Sequence, residues 1–376
     1  MMAQVFPEMK KKLGFGCMRL PMKDGKINTA EMNKMVDLFI ENGFNYFDTA
    51  HGYHDGLSEK ALKECLTSRH AREEYLLTNK LSQEYFKTQA DIRPFFEEQL
   101  RLCGVDYFDF YLMHAQDRNN YVHYQNCHAY ETALELKKEG RIRHLGLSFH
   151  DTPDILDRIL SDHPEVEIVQ IQFNYVDYDD HAIQSGKCLE VCEKHGKPVL
   201  VMEPVKGGSL SNLPDAAKKV FDALGTMSYA SYAIRYAAGF DRIVMVLSGM
   251  SCPEQMADNI SYMKDFHPLS EAEQQAVEQV KEIFHGMELI PCTSCHYCIE
   301  ENHCPKKILI PDMFACLNAK KMFDDWNQGV YYRRVLTKNN GKAGDCIRCG
   351  KCEKVCPQHL EIRKLLQQVA QTFEAS

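Results

Sequence analysis

Short apolar runs alternate with amphipathic stretches from residue 13 to about residue 265. The apolar runs have the length and composition of buried strands, and the stretches between them carry apolar residues at helical spacing. Eight strands are predicted, at residues 13–20, 44–49, 75–80, 108–114, 142–149, 168–174, 198–203 and 243–249. A helix is predicted after each strand, at residues 29–42, 58–69, 88–103, 128–139, 153–160, 184–195, 227–238 and 253–264.

The number and order of these elements predict an α/β fold. Eight strand–helix units in about 250 residues match the size of a (β/α)8 TIM barrel. An open doubly wound sheet also alternates strands and helices, but no GxGxxG turn follows the first predicted strand. A ninth helix at residues 270–285 leads to Pro291, so we predict a barrel domain over residues 1–285 and a smaller domain over residues 286–376.

The smaller domain contains half of the sixteen cysteines, in two tight runs. Three cysteines spaced by two residues can surround one face of an iron–sulfur cubane, and a fourth cysteine before proline typically binds the neighbouring cluster. Structural zinc draws on separated pairs of cysteines, which would leave the third cysteine of each run unexplained. The first run is Cys292, Cys295, Cys298 and Cys304, and the second is Cys346, Cys349, Cys352 and Cys356.

These runs predict two [4Fe–4S] clusters in a domain whose ligand pattern resembles that of bacterial dicluster ferredoxins. Five residues precede Cys304 where three are usual, so Cys304 is the least regular ligand. A helical stretch at residues 310–323 lies between the runs and favours an α-helical ferredoxin-like domain. The clusters would pass single electrons, and the alternative is a purely structural role. The other eight cysteines are scattered and are predicted to be small buried side chains.

Charge and composition restrict the partners. The net charge is −9, and because residues 286–376 carry 13 basic against 10 acidic residues, the acidic excess lies in the barrel part. An acidic domain is a poor nucleic-acid binder. No apolar run reaches about 18 residues, so no membrane span is predicted. The first 14 residues lack the apolar run of a secretory signal, and we expect a cytoplasmic protein.

Four polar residues lie at the C-terminal ends of successive predicted strands, where barrel enzymes hold their active sites. Asp48 ends the second strand, Lys80 the third and His114 the fourth, and Tyr53 follows Asp48 in the loop. Each residue alone has an ordinary structural explanation, such as a turn cap or a packed ring. Four polar residues at successive positions of the rim together predict an active site.

This set resembles the catalytic tetrad of the aldo/keto reductase family, and the stretches FDTAHGY, LLTNKLS and FYLMHAQD are similar to the motifs of that family. The resemblance covers about residues 13–264 and implies NAD(P)H-dependent reduction of an aldehyde or ketone, and the reverse oxidation. Tyr53 would donate the proton, and Lys80, held by Asp48, would lower the tyrosine pKa from its ordinary value of about 10. His114 would orient the carbonyl.

The same resemblance implies a dinucleotide site. Ser148 and Gln170 match residues that hold the nicotinamide amide, but Phe149 stands where the family usually has asparagine, which leaves room for a flavin. Ser251, Cys252 and Gln255 supply no cation for a 2′-phosphate, so the choice between NADP and NAD stays open. The remaining implied contacts are the phosphate loop Glu203, Lys206, Gly207 and Gly208, the turn Gly249, Met250 and Ser251, and the adenosine contacts Gln255 and Asn259.

The two predicted domains handle electrons differently, because hydride transfer moves two electrons together and each cluster passes one. The leading prediction is an NAD(P)H-linked carbonyl oxidoreductase whose clusters exchange electrons with a partner protein. One alternative is a flavin- or ferredoxin-dependent reductase that uses the clusters as an electron relay. Another is an electron-transfer or redox-sensing protein with an inactive barrel, although the complete tetrad argues against it. The loop at residues 116–125, with Tyr121 and Tyr124, is predicted to select the substrate.

Overall fold

The computed structural model describes residues 5–180, 183–300, 304–323 and 327–374 of the chain. The chain divides into two compact units. The first unit comprises Met1–Pro204 and Ala230–Leu269, and the second comprises Val205–Tyr229 and Ser270–Ser376. A short segment from the region predicted as barrel therefore belongs to the second unit, and the domain boundary at residues 285 and 286 stays a prediction.

Eight parallel strands form a closed barrel in the first unit, which confirms the predicted (β/α)8 fold. Neighbouring strands along the chain pair with each other, and the first strand also pairs with the last through Leu13 and Val246. The observed strands lie within one or two residues of the predicted ones except where the first prediction ran past the strand end. The barrel strands are Leu13–Gly16, Tyr46–Asp48, Leu76–Leu81, Phe108–Gln116, Ile142–Phe149, Ile168–Gln172, Val199–Met202 and Ile243–Ser248.

Helices connect the barrel strands, and the predicted positions hold with small shifts at the ends. Two features were not predicted, namely the helix Asn120–Asn126 and the hairpin of Met22–Lys23 with Lys26–Ile27. The second helix continues into a wider turn at Lys63–Thr67. The α-helices that carry first-unit residues are Thr29–Glu41, Leu57–Leu62, Gln89–Cys103, Asn120–Asn126, Ala129–Lys138, Pro153–Asp162, Ser185–Lys194, Tyr229–Ala238 and Pro253–Met263.

The N-terminal end of the barrel is closed by apolar side chains. Tyr46, Leu112 and Ile168 belong to a buried cluster that Phe6 and Met9 complete from the N-terminal segment. Side chains alternate across a strand, so residues two positions further along point the same way. The side chains that point into the barrel after this cluster are therefore Asp48, His114 and Gln170. They lie toward the C-terminal end of the barrel, where the polar side chains are grouped.

The second unit is α-helical, as predicted for the ferredoxin-like part. The predicted helix at residues 310–323 is present as Ile310–Phe323, and its Phe314 packs in a core with Leu366 and Val369 of a C-terminal helix that was not predicted. Within the described ranges, no helix is long and apolar enough to cross a membrane. The helices of this unit are Asp215–Asp222, Glu271–His285, Tyr297–Glu300, Ile310–Phe323, Asn327–Tyr331, Lys351–Lys354 and Ile362–Phe373.

Candidate active site and cluster site

Lys80 is the centre of the polar end of the barrel. Its side chain is fully buried on the third barrel strand, and its ammonium donates to Asp48 Oδ1 at 2.6 Å, the Thr49 carbonyl at 2.8 Å and the Tyr53 hydroxyl at 3.2 Å. An ammonium has three N–H donors, so each finds an acceptor. The structure thus brings three of the four predicted tetrad residues into direct contact.

The opposite charges of Asp48 and Lys80 stabilise each other and offset the cost of burying them. Burial lowers the pKa of Lys80, but Asp48 and Tyr53 together raise it above its ordinary value. Burial also raises the pKa of Asp48, and the Lys80 charge and a hydrogen bond from Gln170 Nε2 at 3.3 Å oppose that rise. Because the two ions lie 2.6 Å apart, Lys80 is positively charged and Asp48 is a carboxylate at neutral pH.

The pKa of Tyr53 differs from the sequence-based expectation. Burial raises it above its ordinary value, and the nearby charge of Lys80 only partly offsets this rise. Lys80 lowers the pKa of Tyr53, as predicted, but the expected net value below about 10 is wrong because burial outweighs the effect of Lys80. The ammonium also lies 4.8 Å from the centre of the tyrosine ring. Tyr53 consequently carries its proton at neutral pH, as a proton donor to a carbonyl must.

His114, the fourth predicted residue, lies beside Tyr53 with 6.3 Å between the ring centres. Its Nδ1 is 2.6 Å from the hydroxyl of Ser82, a residue that the sequence analysis missed. Burial and the charge of Lys80 hold the pKa of His114 well below its ordinary value, so the imidazole is neutral. If the hydroxyl of Ser82 donates to Nδ1, the proton of the neutral ring is on Nε2.

A second buried set of polar residues, also missed, holds the backbone of Lys80. Asn79 Oδ1 accepts from the Lys80 amide at 2.8 Å, and Gln99 Nε2 donates to the Lys80 carbonyl at 2.9 Å. Glu59, which is fully buried, accepts from Asn79 at 2.7 Å and from His51 at 2.7 Å. The role of Asn79, Gln99 and Glu59 becomes visible only from their burial. In the sequence they cannot be distinguished from solvent-exposed residues of helices and strands.

The residues matched to the nicotinamide amide lie side by side at this end of the barrel. Ser148 and Gln170 are register partners on the fifth and sixth barrel strands, and both are buried. Ser148 Oγ accepts from the amide of Ala115 at 2.8 Å, and Gln170 donates to Asp48. Phe149 follows on the same strand and is also buried.

The predicted adenosine and phosphate positions after the eighth barrel strand hold hydrogen bonds within the protein. Gln255 Oε1 accepts from the amide of Ser251 at 2.7 Å, across the start of the helix Pro253–Met263. Asn259 is buried and donates to Ser248 at 2.6 Å. Met250 is buried as well. These residues shape the turn that contains Gly249, and their contact with adenosine stays a prediction.

A cation that the sequence analysis overlooked lies at this turn. The side chain of Arg19, in the loop after the first barrel strand, passes within 3.5 Å of the place where Gly249 would carry a Cβ atom. Its guanidinium lies 3.2 Å from the carboxylate of Glu203, which was predicted to belong to the phosphate loop. Positive charge is therefore present beside the Gly249–Ser251 turn, although none of the residues first considered supplies it.

The rest of the predicted phosphate loop lies in the second unit. Lys206 is buried in a short turn with Gly207 and Gly208. Gly207 has a φ of +64°, and a Cβ atom there would lie 2.7 Å from the carbonyl oxygen of Thr293. Only glycine fits both the backbone angle and this contact. The loop therefore packs directly against the residue that follows Cys292.

Two aromatic residues of the loop predicted to select the substrate, Tyr121 and Tyr124, have a structural role, and the role of the rest of the loop stays a prediction. Tyr121 and Tyr124 lie on the helix Asn120–Asn126 and are buried, so they point into the protein. Tyr121 donates to Asp162 at 2.8 Å, and Tyr124 donates to the carbonyl of His114 at 3.0 Å. The prediction for these two rings is wrong because their hydroxyls are satisfied inside the fold.

The second cysteine run and the last cysteine of the first run come together in the second unit. The cysteines that line one pocket there are Cys298, Cys304, Cys346, Cys349 and Cys352. Burial raises the pKa of Cys352 to about 11, and the nearby Cys346 and Cys304 contribute to the rise. Cys304 thus lies with the second run despite its longer spacing; residues 301–303 of that spacing lie outside the described part of the chain.

The first run lies with the last cysteine of the second. Burial raises the pKa of Cys298, and the charges of Cys295, Cys292 and Cys356, followed by that of Cys352, add to this effect. In the described ranges, no three His, Cys, Asp or Glu side chains converge as they would around a single metal ion. A cubane needs its thiolates spread over four corners instead, and thiolates are its ordinary ligands, so two such groups fit iron–sulfur clusters.

The scattered cysteines differ from these eight. Seven of them are buried, and Cys252 is partly exposed. Burial raises the pKa of Cys17 and Cys192 far above the ordinary value of a thiol, which leaves them protonated and unreactive.

The sequence matches of both parts agree with this geometry. Residues 12–282 match the Aldo/keto reductase family, and residues 291–361 match the 4Fe-4S dicluster domain. The chain therefore belongs to the aldo/keto reductase family and is an oxidoreductase of that type, with a 4Fe-4S domain at its C-terminal side.

Two relatives with curated descriptions match about two thirds of the chain or less. An uncharacterized oxidoreductase of Bacillus subtilis is 24% identical over 280 residues, covering 66% of this chain and 86% of the relative. The NADH-specific methylglyoxal reductase of Escherichia coli is 23% identical over 273 residues, covering 60% of this chain and 81% of the relative. An aldo/keto reductase of Klebsiella pneumoniae solved with NADPH has a TM-score of 0.59 and 20% identity, covering 72% of this chain and 90% of that structure. The last likeness shows the fold.

Proposed function

We propose that the barrel reduces an aldehyde or ketone with NADPH or NADH, reversibly, and that two [4Fe–4S] clusters exchange single electrons with a partner protein. The observation that carries the first part is the contact of Lys80 with both Asp48 and Tyr53 in a buried site. The observations that support the second part are that Cys304 lines one pocket with Cys346, Cys349 and Cys352, and that Cys356 acts on Cys298 together with Cys292 and Cys295. We also propose a cytoplasmic location, where reducing conditions keep thiols free.

The tetrad acts on the carbonyl oxygen, where negative charge develops during reduction. A reduced nicotinamide ring, when bound, supplies the hydride. Tyr53 holds a proton at neutral pH and gives it to the oxygen, and the charge of Lys80 stabilises the resulting phenolate. His114 is neutral and donates an N–H to the same oxygen, so that two donors fix its position. General acid catalysis of this kind contributes about 10²–10⁴-fold to the rate.

Several features support a nicotinamide dinucleotide as the hydride source. Ser148 and Gln170 lie next to the tetrad, and a glycine turn precedes a helix whose N-terminal amides suit a phosphate. Arg19 adds positive charge at this turn. The Klebsiella pneumoniae structure contains NADPH and the Escherichia coli relative is named as NADH-specific, so the two relatives favour different dinucleotides.

The tested variant is Tyr53→Phe, which removes the proposed proton donor and little volume. We expect a loss of about 10²–10⁴-fold in kcat for carbonyl reduction, with unchanged dinucleotide binding and cluster absorbance. Tyr107→Phe is the matched control, because Tyr107 precedes the fourth barrel strand and its hydroxyl binds Arg143 at the opposite end. Equal turnover in both variants would exclude Tyr53 as the donor.

The proposal for the clusters has its own test. Anaerobically purified protein should contain about eight irons and eight sulfides, and extraction should release a nicotinamide dinucleotide. A tightly bound flavin would instead favour a flavin- or ferredoxin-dependent reductase with the clusters as an electron relay. The buried ring of Phe149, at a position where the family usually has asparagine, is compatible with this alternative. Zinc in place of iron would contradict the cluster proposal.

A further inference from the structure

The cluster pocket of the second unit is open on a side that carries positive charge. Lys306, Lys351 and Arg363 line it together with the four cysteines Cys304, Cys346, Cys349 and Cys352, and no Asp or Glu of the described residues lines it. We call the exposed residues around this opening, namely Lys306, Ile347, Arg348, Cys349 and Lys351, the cluster face.

Two side chains on this face are unusually exposed for their type. Cys349 is the exposed member of the eight predicted ligands. Ile347, between Cys346 and Arg348, is 56% exposed. A ligand at the surface shortens the path from a cluster to any molecule that touches the face. An apolar residue beside it offers the small dry contact that a transient complex needs.

The charge of the face decides which molecule fits. An oxidised cubane with four thiolates carries a charge of about −2. Lys306, Arg348, Lys351 and Arg363 exceed that charge, even though Arg363 pairs with Glu353 at 2.6 Å. The face is therefore positive even with its cluster in place, in a chain whose net charge is −9. Such a patch steers a negatively charged molecule toward itself.

We propose that the cluster face docks an acidic one-electron carrier protein, and that electrons enter the chain here through Cys349. This rests on the proposed function, because it requires a loaded cluster. In each encounter the reduced carrier loses one electron and the oxidised cluster gains it; no bond forms or breaks and no proton moves. Redox encounter complexes are small and short-lived, so the three cations of the cluster face, Lys306, Arg348 and Lys351, are enough to hold one.

The test measures electron transfer from a reduced flavodoxin, chosen as an acidic one-electron carrier, to the oxidised full chain by anaerobic stopped flow. For the unmodified protein, the second-order rate should fall steeply as ionic strength rises from about 0.01 to about 0.3 M, because salt screens the attraction. The variant Arg348→Glu with Lys351→Glu should transfer electrons about 10–100-fold more slowly at low salt and show little salt dependence.

The matched control is Arg334→Glu with Lys338→Glu, which makes the same charge change on exposed residues of the same unit outside the pocket. It should transfer electrons at the unmodified rate. Iron content, the extent of reduction by dithionite and the cluster reduction potential are measured in all three proteins. Cations that only balance the charge of the cluster would shift the potential and leave the rate dependence on salt unchanged.

Two results would overturn the proposal: equal flavodoxin rates in the unmodified protein and the Arg348/Lys351 variant, or an equal slowing in the control. In each case clusters that dithionite still reduces would leave the proposed function standing. A chain that binds no iron under anaerobic reconstitution would instead remove the proposed function together with this inference.

Discussion

The buried pair of Asp48 and Lys80 allows stability and catalysis to be separated. The two charges lie 2.6 Å apart with almost no solvent exposure. In Asp48→Asn, Lys80 keeps its hydrogen-bonding neighbours Thr49 and Tyr53 but loses the charge that balances its own. Removing one partner of a buried ion pair costs about 3–5 kcal/mol, because the remaining charge stays desolvated. We expect a loss of this size in the free energy of unfolding of the barrel.

The double variant Asp48→Asn with Lys80→Met removes the second charge as well. Methionine fills much of the volume of the lysine stem and needs no counter-ion, so we expect most of the lost stability to return. Activity should not return, because the proton donor Tyr53 then has no cation to stabilise its phenolate. The double variant should lose about 10²–10⁴-fold in kcat. It thus separates stability, which returns, from activity, which does not.

The pH dependence adds a second check on the single variant. Without Asp48, burial should lower the pKa of Lys80 in the folded protein below that of the unfolded chain, about 10.4. The unfolded chain then binds the Lys80 proton more tightly than the folded chain does, so the free energy of unfolding rises with pH between the folded and unfolded pKa values of Lys80. The destabilisation of Asp48→Asn should therefore shrink as the pH rises toward about 10, whereas the double variant shows no such trend.

Urea unfolding followed by far-ultraviolet circular dichroism measures these differences, and visible absorbance follows the clusters separately because the chain has two units. Slopes against urea must agree between variants before midpoints are compared. A double variant as unstable as Asp48→Asn would refute the explanation by an uncompensated charge. Full turnover in the double variant would refute the role given to Lys80.

Three other changes test separate parts of the structure. Cys304→Ser should remove about half of the iron and sulfide, since Cys304 lines the pocket of the second cysteine run. The control Cys316→Ser, at a buried scattered cysteine of the same unit, should keep all of the iron and sulfide, and elemental analysis measures both variants. Gly207→Ala should weaken dinucleotide binding and lower cluster content, because it forces a φ of +64° and a clash with Thr293; calorimetry and iron content unchanged from the parent would contradict this. Asp151→Asn should lower the free energy of unfolding by about 1–2 kcal/mol at pH 7. The reason is that hydrogen bonds and the charge of Arg118 outweigh burial and lower the pKa of Asp151 to about 2. That stability is present above about pH 4, the pKa of the unfolded chain, and fades as pH falls through about 2, so unfolding curves of the two proteins should converge in acid.

Strand periodicity made the barrel and its tetrad predictable. In a closed parallel barrel all strands end at one face, so three strand-end residues, Asp48, Lys80 and His114, had to meet once the strands were placed. Tyr53 could be added because it lies in the loop that continues the same strand. The cysteine runs were readable for a similar reason, since a ligand spacing is a local property of the chain.

The supporting residues could not be predicted, because their roles depend on depth and on partners distant in sequence. Glu59 looks like a solvated helix acid, yet it is fully buried 20 residues from the Asn79 amide that it accepts from. The protonation of Tyr53 depends on how far burial outweighs Lys80, which spacing does not reveal. The aromatic pair Tyr121 and Tyr124 had the composition of a binding loop, but a short helix turns both rings into the core.

The protonation states of the tetrad argue for a two-electron step in the barrel. A protonated Tyr53, a charged Lys80 and a neutral His114 are arranged to neutralise an oxygen that gains negative charge all at once, as it does when hydride arrives. Iron–sulfur clusters held by the cysteine groups would instead pass electrons one at a time. Single electrons can therefore support carbonyl reduction only through a group that accepts them singly and releases them in pairs. Without such a group, turnover with a nicotinamide dinucleotide should proceed at the same rate whether the clusters are oxidised or reduced.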